Sequence, residues 1–511
     1  MLGVKVCKFG GTSVANTDQI TKVGRIIKKD STRKVIVVSA PAGITDMLYR
    51  AYRHKDDPFT FEHIFDGIRE RFYYITKDLP TSPQTATFVK YFLLGLKTQI
   101  TTTPDTSMTE DYFVSRGEYL NAMIIADYLG YQFIDAQDII FLDTNNNSAK
   151  VEVDWPHTEE MVDKILLTNL RHGVVVPGFY GTIFNGPGVK TFSRGGSDVT
   201  GAILAKALNA SVYENWTDVQ GLHTADPRII PNAKHVREVT YDEMRELAYS
   251  GTLILHPDAI LPVKEKDIPI NIRNTNAPND PGTIVTAKKT SSEAIVGIAH
   301  RPNFIAFSIK KVGMNDEIGF IRSITEIFEN EDINIEHTPS SIDRFSIIVR
   351  INEVKGKIKK ILDEIIRICN SELKSMQDSI EISNDLSLIT VVGENMAYTP
   401  GIIGRIFTAC GNSGINIRMV TQDLGEMNII FGVETQDEHK AVKAVYEEFF
   451  NESRDNWMVV ILKDGEDTIV SFGNKTEAEE YRNNLSAQGI SSYLCKVEKT
   501  PQKAQTRLFS I

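Results

Sequence analysis

The chain has 511 residues, which at ~150 residues per domain predicts three or four domains. A hydrophobic content of 41% and a charged content of 24% are typical of a folded globular protein and exclude a disordered chain. A net charge of −11 disfavours nucleic acid or a membrane surface as the main partner, so a polyphosphate ligand requires a local basic pocket.

The four cysteines, Cys7, Cys369, Cys410 and Cys495, lie far apart and form no C-x-x-C pair, as expected for reduced thiols. The sequence shows no charged-then-apolar leader and no run approaching the ~18 apolar residues of a membrane span. These features predict a soluble cytoplasmic protein.

Residues 1–290 alternate apolar runs with helical patterns, and the first helix carries Ile20, Val23 and Ile26 on one face. Strands are predicted at residues 4–9, 35–38, 174–176, 212–216 and 268–272. Because unbroken β-branched runs are buried on both faces, the alternation predicts a parallel sheet covered by helices. A mostly helical excursion is predicted at residues 55–109.

The first motif with chemical content is KFGGTS at residues 8–13, between the first strand and the first helix. Gly10 and Gly11 allow close approach to an anion, the helix start offers N–H groups, and Lys8 adds a positive charge. The motif predicts a phosphate-binding turn. A turn that uses glycine only to bend the chain is the alternative.

The second motif is SRGGSD at residues 193–198, before a helix predicted at residues 202–208. Arg194 offers a planar fork that matches a carboxylate, while Ser197 and Asp198 either cap the helix or hold a ligand. Two glycines beside an arginine and an aspartate favour binding over capping alone.

Polar residues also follow two other predicted strands, at the sheet edge where parallel folds bind ligands. Thr217 and Asp218 follow residues 212–216, and Ser39 and Thr45 follow residues 35–38. A plain turn, or a cap of the next helix, is the alternative in each case.

Two further side chains are ambiguous when considered alone. Arg228 either binds a polyphosphate or is exposed to solvent. Glu118 either belongs to a binding site or forms a capping box with Ser115 at the start of a helix. The sequence has no G-x-x-x-x-G-K-[ST] loop, no G-x-G-x-x-G in its first unit, no H-E-x-x-H and no G-x-S-x-G. The absence of these motifs disfavours a P-loop protein, a Rossmann dehydrogenase, a zincin and a serine hydrolase, respectively.

An internal repeat follows: the pattern around Ile333 recurs around Ile415, and each copy has the order β-α-β-β. Two such copies predict a ferredoxin-like pair that shares a sheet. After residue 455, a smaller β-β-α-β element is predicted.

Taken together, the motifs resemble aspartokinase of the amino-acid kinase superfamily, and the repeat resembles its paired ACT domains. The resemblance covers about residues 2–450 in family order and rests on KFGGTS at 8–13, VSA at 38–40, RGGSD at 194–198, WTDV at 216–219, TADPR at 224–228 and LHP at 255–257.

The resemblance implies an α/β fold whose amino-acid-kinase domain, residues 1–290, has three layers around a parallel-type sheet. Ferredoxin-like βαββ (ACT) units are expected at 291–385 and 386–454, with interleaving of the two left open. Residues 455–511 are expected to form a small α+β extension of unknown role.

The resemblance also implies ATP-dependent phosphorylation of the aspartate side-chain carboxylate, the first step toward lysine, threonine and methionine, with Mg²⁺ as cofactor. Lys8 would lie against the transferred phosphoryl group, with main-chain N–H donors from Gly10 and Gly11. The implied nucleotide contacts are Thr217, Asp218 and Arg228.

For the substrate, the resemblance implies that Arg194 grips the α-carboxylate, while Glu118 and Asp198 meet the ammonium. Lys8 and Asp198 would be the catalytic residues. The pocket would be completed by Ser39, Thr45 and Ser197. Leu253, His223 and the Phe192-Ser193 pair depart from the family pattern, which leaves the ATP contacts in doubt.

The ACT-like pair resembles a sensor that binds an amino acid between two units, often across a homodimer or a higher oligomer. Lysine is the favoured effector and threonine its competitor. The matching effector positions are Met314, Asn315 and Asp316 in a loop and Ile335 and Glu336 in a predicted strand, where Glu336 either accepts the ε-ammonium of lysine or is solvated. A different amino-acid kinase, acting on glutamate, carbamate or UMP, and a non-catalytic amino-acid sensor are the alternative functions.

Overall fold

The computed structural model describes residues 3–102, 108–143, 151–184, 186, 188–193, 195–252, 254–370, 379–422, 424–425, 427–451, 457–461, 468–472 and 475–496. By its internal contacts the chain divides into two compact units, Met1–Lys443 and Ala444–Ile511. None of the described helices combines the length and the apolar character that a membrane span requires.

The first part of the larger unit begins with strands and then becomes helical. Its elements are β1 (Lys5–Phe9), α1 (Thr17–Lys28), β2 (Arg33–Val38), α2 (Ile44–Arg53), α3 (Pro58–Asp78), α4 (Pro83–Thr102) and α5 (Glu110–Leu129). Asp57 caps α3 by accepting from two main-chain N–H groups, and Pro58 pre-sets its first turn. Helices α3 and α4 confirm the helical excursion predicted for residues 55–109 in its described part, and residues 103–107 of that range lie outside the described residues.

The chain then returns to strands that alternate with short helices. These are β3 (Gln132–Phe133), β4 (Phe141–Asp143), β5 (Glu152–Val153), α6 (Trp155–Met161), a π-helical turn (Val162–Leu166), α7 (Leu167–Asn169), β6 (Val174–Pro177), β7 (Tyr180–Ile183), β8 (Val189–Thr191), α8 (Gly196–Ala207), β9 (Val212–Thr217), β10 (Glu238–Thr240), α9 (Tyr241–Tyr249), α10 (Ile260–Lys264), β11 (Ile270–Asn274) and β12 (Thr283–Thr286).

Eight of these strands form one sheet in the order β10-β12-β11-β9-β1-β2-β6-β3. Every neighbouring pair is parallel except β11 with β12, so the predicted parallel-type sheet is confirmed. Its central strands β9, β1, β2 and β6 are mainly buried, with separate apolar clusters on the two faces of the sheet. A smaller sheet has the order β5-β4-β7-β8.

A buried charge holds the central strands together. The carboxylate of Glu214 on β9 accepts from Arg33 Nε of β2 at 2.8 Å and from the indole N–H of Trp216 at 2.9 Å. The Phe9 ring of β1 stacks on Trp216 at 5.9 Å. Because the Glu214 carboxylate of β9 also accepts from Lys5 Nζ of β1 at 3.4 Å, one buried carboxylate links side chains of β1, β2 and β9.

The repeat forms a second, five-stranded sheet. Its elements are β13 (Gly297–Lys310), α11 (Phe320–Asn330), β14 (Arg344–Arg350), α12 (Ile351–Val354), α13 (Ile358–Asn370), β15 (Ser379–Val392), α14 (Ile402–Asn412), β16 (Met419–Thr421), β17 (Asn428–Glu434) and α15 (Glu438–Phe450). The strand order is β14-β13-β15-β17-β16, and all neighbours are antiparallel.

The two halves of this sheet share their long strands. β13 and β15 pair antiparallel along most of their length, whereas β14 pairs with residues 304–310 of β13 and β17 pairs with residues 386–392 of β15. Each long strand therefore serves both copies of the repeat, which is the interleaving left open by the sequence. The strand expected at residues 334–336 is wrong, because none of these residues is in a strand. The Glu336 N–H donates to the Ile348 carbonyl at 2.9 Å, and the next residue, His337, forms an isolated bridge with Ile348.

The smaller unit contains the predicted β-β-α-β element. It consists of β18 (Trp457–Ile461), β19 (Thr468–Phe472), α16 (Lys475–Ala487) and β20 (Ser492–Lys496), with strand order β19-β18-β20. Val459, Ile461, Ala478 and Leu485 form its small core.

Candidate active site

A buried ion pair lies where β1 approaches the first turn of α8. Lys8 Nζ is 2.6 Å from Asp198 Oδ1, and the two residues are 8% and 7% exposed. Gly195 precedes α8 with φ 90°, a left-handed conformation that favours glycine. The KFGGTS and SRGGSD motifs, far apart in sequence, are therefore brought together by the fold.

Asp198 is held from three sides. Besides Lys8, Oδ1 accepts from Asn215 Nδ2 at 2.9 Å, and Oδ2 accepts from the main-chain N–H of His256 at 3.0 Å. The Tyr213 hydroxyl donates to the Asp198 carbonyl at 3.0 Å. Asp198 is thus a rigid anchor for the Lys8 ammonium.

Sequence analysis missed Asn215. A signal was available, because Asn215, like its neighbour Glu214, is a polar side chain in the middle of a predicted buried strand, and a buried amide requires a polar partner. His256, part of the LHP motif, contributes to the site through its main chain, because its N–H donates to Asp198.

The two glycines of the first turn have different roles. The Gly10 N–H donates to the Trp216 carbonyl at 3.0 Å, so the expectation that it offers a free donor to phosphate is wrong. A Cβ on Gly11 would lie 2.9 Å from the Ala40 carbonyl, so this turn can approach the end of β2 only with glycine. Within the described residues, the Gly11 N–H makes no main-chain hydrogen bond.

Glu118 lies in the middle of a helix rather than at its start. α5 begins at Glu110 with Thr109 as its cap, so the capping-box alternative with Ser115 is wrong. The Glu118 carboxylate is buried: Oε1 accepts from Thr45 Oγ1 at 3.2 Å, and Oε2 has no hydrogen-bond partner in the described part of the chain.

Burial controls the ionisation of Glu118. It outweighs the hydrogen bonds that favour the ionised form and raises the pKa of this carboxyl to about 7. One helical turn further along, Asn121 Nδ2 donates to the Ser39 carbonyl at 2.7 Å. Ser39, Thr45 and Glu118 therefore lie on one wall of the candidate site. Among the described residues, one carboxylate oxygen of that wall has no hydrogen-bond partner.

Ser197 is buried in the first turn of α8, beside Asp198. Arg194 lies outside the described residues. Its neighbour Ser193 has Oγ 3.4 Å from His256 Nε2, and a Cβ on Gly195 would lie 2.8 Å from the same ring. The residues on both sides of Arg194 are therefore packed on the segment that also anchors Asp198.

The expected nucleotide residues lie beyond β9. Thr217 ends β9, and its hydroxyl donates to Asp218 Oδ1 at 3.2 Å. The side chain of Arg228 is 84% exposed, and its Nε and Nη2 donate to both oxygens of Asp226 at 2.6–3.0 Å. Leu253, one of the departures from the family pattern, lies outside the described residues.

The expected effector residues do not share one environment. Met314 is buried in the core of the first half of the repeat, whereas Asn315 and Asp316 are exposed and Ile335 is half-buried. The side chain of Glu336 is 1% exposed.

Glu336 already has partners from its own chain. It accepts from Arg350 Nε at 2.6 Å and from the Tyr249 hydroxyl at 2.9 Å. Arg350 and Tyr249 therefore already occupy the carboxylate, and binding of an effector ammonium by Glu336 stays a prediction that these contacts disfavour.

Comparisons with known proteins agree on one family. The amino acid kinase family model matches residues 3–274, and an ACT domain model matches residues 389–449. Aspartokinase 3 of Bacillus subtilis is 34% identical over 462 residues, which cover 88% of this chain and 99% of that protein. The chain also matches bifunctional aspartokinase/homoserine dehydrogenase 1 of Arabidopsis thaliana at 28% identity and spans 51% of its length.

Solved structures give the same result. Clostridium acetobutylicum aspartate kinase is 42% identical with a TM-score of 0.76, and the match covers 87% of this chain and all of that one. E. coli aspartokinase III in complex with aspartate and ADP is 27% identical with a TM-score of 0.75, covering 88% and 100%. The same E. coli enzyme in complex with lysine and aspartate gives 26% and a TM-score of 0.71, covering 88% and 99%.

Proposed function

The chain belongs to the aspartokinase family, and from this premise we propose that it transfers the γ-phosphoryl group of ATP to the side-chain carboxylate of L-aspartate, giving 4-phospho-L-aspartate. The observation that carries the proposal is the buried pair of Lys8 and Asp198 at the carboxyl edge of the sheet. A buried ammonium held in place by a fixed carboxylate is suited to neutralising charge on a transferred phosphoryl group.

Lys8 binds the terminal phosphate of ATP in this proposal. Phosphoryl transfer depends on positioning and charge neutralisation, and the three contacts of Asp198 hold the ammonium where the phosphate arrives. The Gly11 N–H is the main-chain donor left for the phosphate, because that of Gly10 is bound to Trp216.

Glu118 binds the ammonium of aspartate. Its unsatisfied Oε2 lies on a buried wall, and an arriving cation supplies the partner that the carboxylate lacks. Ser39, Thr45 and Ser197 complete the pocket, and Arg194 binds the α-carboxylate. Asp198 contributes through Lys8, since its oxygens are occupied by Lys8, Asn215 and the His256 N–H.

Thr217, Asp218 and Arg228 are proposed to contact the nucleotide. The described residues include no cluster of three or more His, Cys, Asp or Glu side chains suited to a metal. We propose that Mg²⁺ is held mainly by phosphate oxygens and water, with the exposed Asp218, directly after β9, as a carboxylate at that edge. When bound, Mg²⁺ neutralises phosphate charge.

The paired ACT-type sheet is proposed to bind an end-product amino acid, with lysine favoured. The E. coli relative has been solved in complex with lysine and aspartate. In this chain the exposed Asn315 and Asp316, with Met314 and Ile335 behind them, form the proposed contact. The enzyme is further proposed to be a homodimer or larger oligomer that associates through this sheet.

ADP release, followed with a coupled assay, tests the proposal. We expect turnover with aspartate that greatly exceeds turnover with glutamate or with no amino acid. Equal ADP release with glutamate would establish a different amino-acid kinase, and no release with any acceptor would establish a non-catalytic sensor. Added lysine should lower the rate of ADP release. Inhibition by threonine but not by lysine would identify threonine as the effector.

A further inference from the structure

One histidine of the five-stranded sheet reaches into the loop that carries Arg228. His300 lies on β13, with its side chain 15% exposed. Its Nε2 is 3.3 Å from Asp226 Oδ2, and its Nδ1 contacts Glu438 Oε1 at the start of α15. The imidazole therefore bridges two carboxylates from different parts of the chain.

Asp226 is the hub of this arrangement. On its other side it binds the Arg228 guanidinium through both oxygens and the Arg228 main-chain N–H at 2.8 Å. Burial opposes ionisation of Asp226, but the hydrogen bonds from Arg228 and His300 outweigh it and hold its pKa at about 2. A fixed anion thus lies between the histidine and the proposed nucleotide contact.

The same strand holds the loop at a second point. The Ile298 N–H donates to the Thr224 carbonyl at 2.8 Å, two residues before His300 on β13. Residues 298 and 300 are two positions apart and therefore face the same side of the strand. β13 thus holds residues 224–228 by the main-chain hydrogen bond from Ile298 and by the side-chain contact of His300 with Asp226. No element of the catalytic mechanism described above requires this second attachment.

We propose that His300 is a positioning residue that fixes the nucleotide-side loop, residues 224–228, to the regulatory sheet by bridging Asp226 and Glu438. The inference rests on the proposed function only where Arg228 is assigned to the nucleotide. Through this bridge, any rearrangement of β13 or α15 on effector binding reaches the nucleotide loop directly.

The bridge requires a particular protonation state. A neutral imidazole has one N–H, so it can donate to only one of two carboxylates, whereas the imidazolium donates to both. The charged and titratable groups facing His300 are Asp226 from the loop and Glu438 and His439 from α15, the last with its ring 6.1 Å away.

Glu438 sets the ionisation of His300. It is fixed by Ser387 Oγ at 3.0 Å, and its hydrogen bond raises the pKa of His300 although burial lowers it. Since the folded-state pKa is raised, the bridge is complete at low pH and is lost as pH rises through that pKa.

Steady-state kinetics test the proposal. His300→Ala should raise KM for ATP roughly fivefold to tenfold, with kcat and KM for aspartate within about twofold of wild type. His439→Ala is the matched control, because it removes an exposed neighbouring ring that joins no two carboxylates among the described residues, and it should leave all three constants unchanged. An unchanged KM for ATP in His300→Ala would overturn the proposal.

Glu438→Gln supplies an independent arm. It should raise KM for ATP in the same direction, and the double variant His300→Ala/Glu438→Gln should be less than additive, because both changes break one bridge. In wild type, KM for ATP should rise with pH. This pH dependence should be absent in His300→Gln, a variant that also replaces His300→Ala in the test if His300→Ala does not fold. Fully additive effects or an unaltered pH profile contradict the bridge.

Hydrogen exchange separates this inference from the proposed function. Without any substrate, amides of residues 222–230 should exchange faster in His300→Ala than in His439→Ala. Equal exchange overturns the positioning role whatever the enzyme's activity. An absence of aspartate-dependent ADP release by wild type overturns the proposed function and leaves the exchange result valid.

Discussion

Two glutamates, one in the kinase region and one in the regulatory sheet, were both considered as partners of a ligand ammonium. Both have buried side chains, but they differ in the hydrogen bonds that their carboxylates accept. Glu118 in the kinase region keeps one carboxylate oxygen without a partner among the described residues, and burial raises its pKa to about 7. Glu336 in the regulatory sheet is bound by Arg350 and Tyr249.

The difference shows how a ligand role can be distinguished from a structural one. A buried carboxylate is costly unless it is paired, so a carboxylate that the chain leaves partly unpaired is available to a ligand. One that is fully paired within the chain stabilises the fold. The predictions below test this contrast, from the largest expected effect to the smallest.

Lys8→Ala should lower kcat by ~10²- to 10⁴-fold, because it removes the cation that neutralises the transferred phosphoryl group. Lys5→Ala is the matched control, since Lys5 lies on the same strand but pairs with Asp30. Aspartate-dependent ADP release measures both. Near-normal turnover of a folded Lys8→Ala enzyme would remove Lys8 from the site.

Glu118→Gln should raise KM for aspartate about tenfold to hundredfold, because a neutral amide replaces the charged partner of the substrate ammonium. Thermal unfolding should show no loss of stability, since a buried charge is removed. If KM for aspartate stays unchanged, Glu118 is structural after all.

Glu336→Gln is the counterpart in the regulatory sheet. It should leave KM for aspartate unchanged and lower the free energy of unfolding by about 1–3 kcal/mol, since Arg350 loses its carboxylate but stays partly solvated. Denaturant unfolding measures this change. A stable Glu336→Gln protein that has lost its lysine response would restore Glu336 as an effector ligand.

The pH dependence of KM for aspartate should follow Glu118. The substrate ammonium binds the ionised carboxylate, so below pH about 7 KM should rise about tenfold for each unit of falling pH. The same profile measured for Glu118→Gln should be flat over this range. A sloping profile in that variant would assign the titration to another group.

Asp316→Ala should weaken inhibition by lysine about threefold, with turnover in the absence of lysine unchanged. Asp363→Ala, which removes an exposed carboxylate from α13, is the control. Inhibition curves at fixed aspartate measure the effect, and equal curves for the two variants would remove Asp316 from the effector site.

Local patterns in the sequence predicted much of the kinase sheet and the two glycine turns. Apolar β-branched runs identify buried parallel strands, and polar residues after them lie at the ligand-binding edge. The juxtaposition of Lys8 and Asp198 was inferred only from resemblance, because the packing of α8 on β1 depends on contacts distant in sequence.

Other features could not be predicted for the same reason. The Gly10 N–H is taken by Trp216, and the Glu336 carboxylate is taken by Tyr249, a residue from the kinase region. Periodicity also gives no sign that β13 and β15 each serve both repeats. Asn215 carried a usable local signal, because it is an amide in the middle of a buried strand.

The most direct test of the central claim is calorimetric titration of aspartate at pH 7 in buffers of different ionisation enthalpy. If the aspartate ammonium binds Glu118, wild type should release about half a proton on binding, since near this pH about half of the carboxyl is protonated. Glu336→Gln should release the same amount and Glu118→Gln none. Equal proton release by wild type and Glu118→Gln would contradict the account.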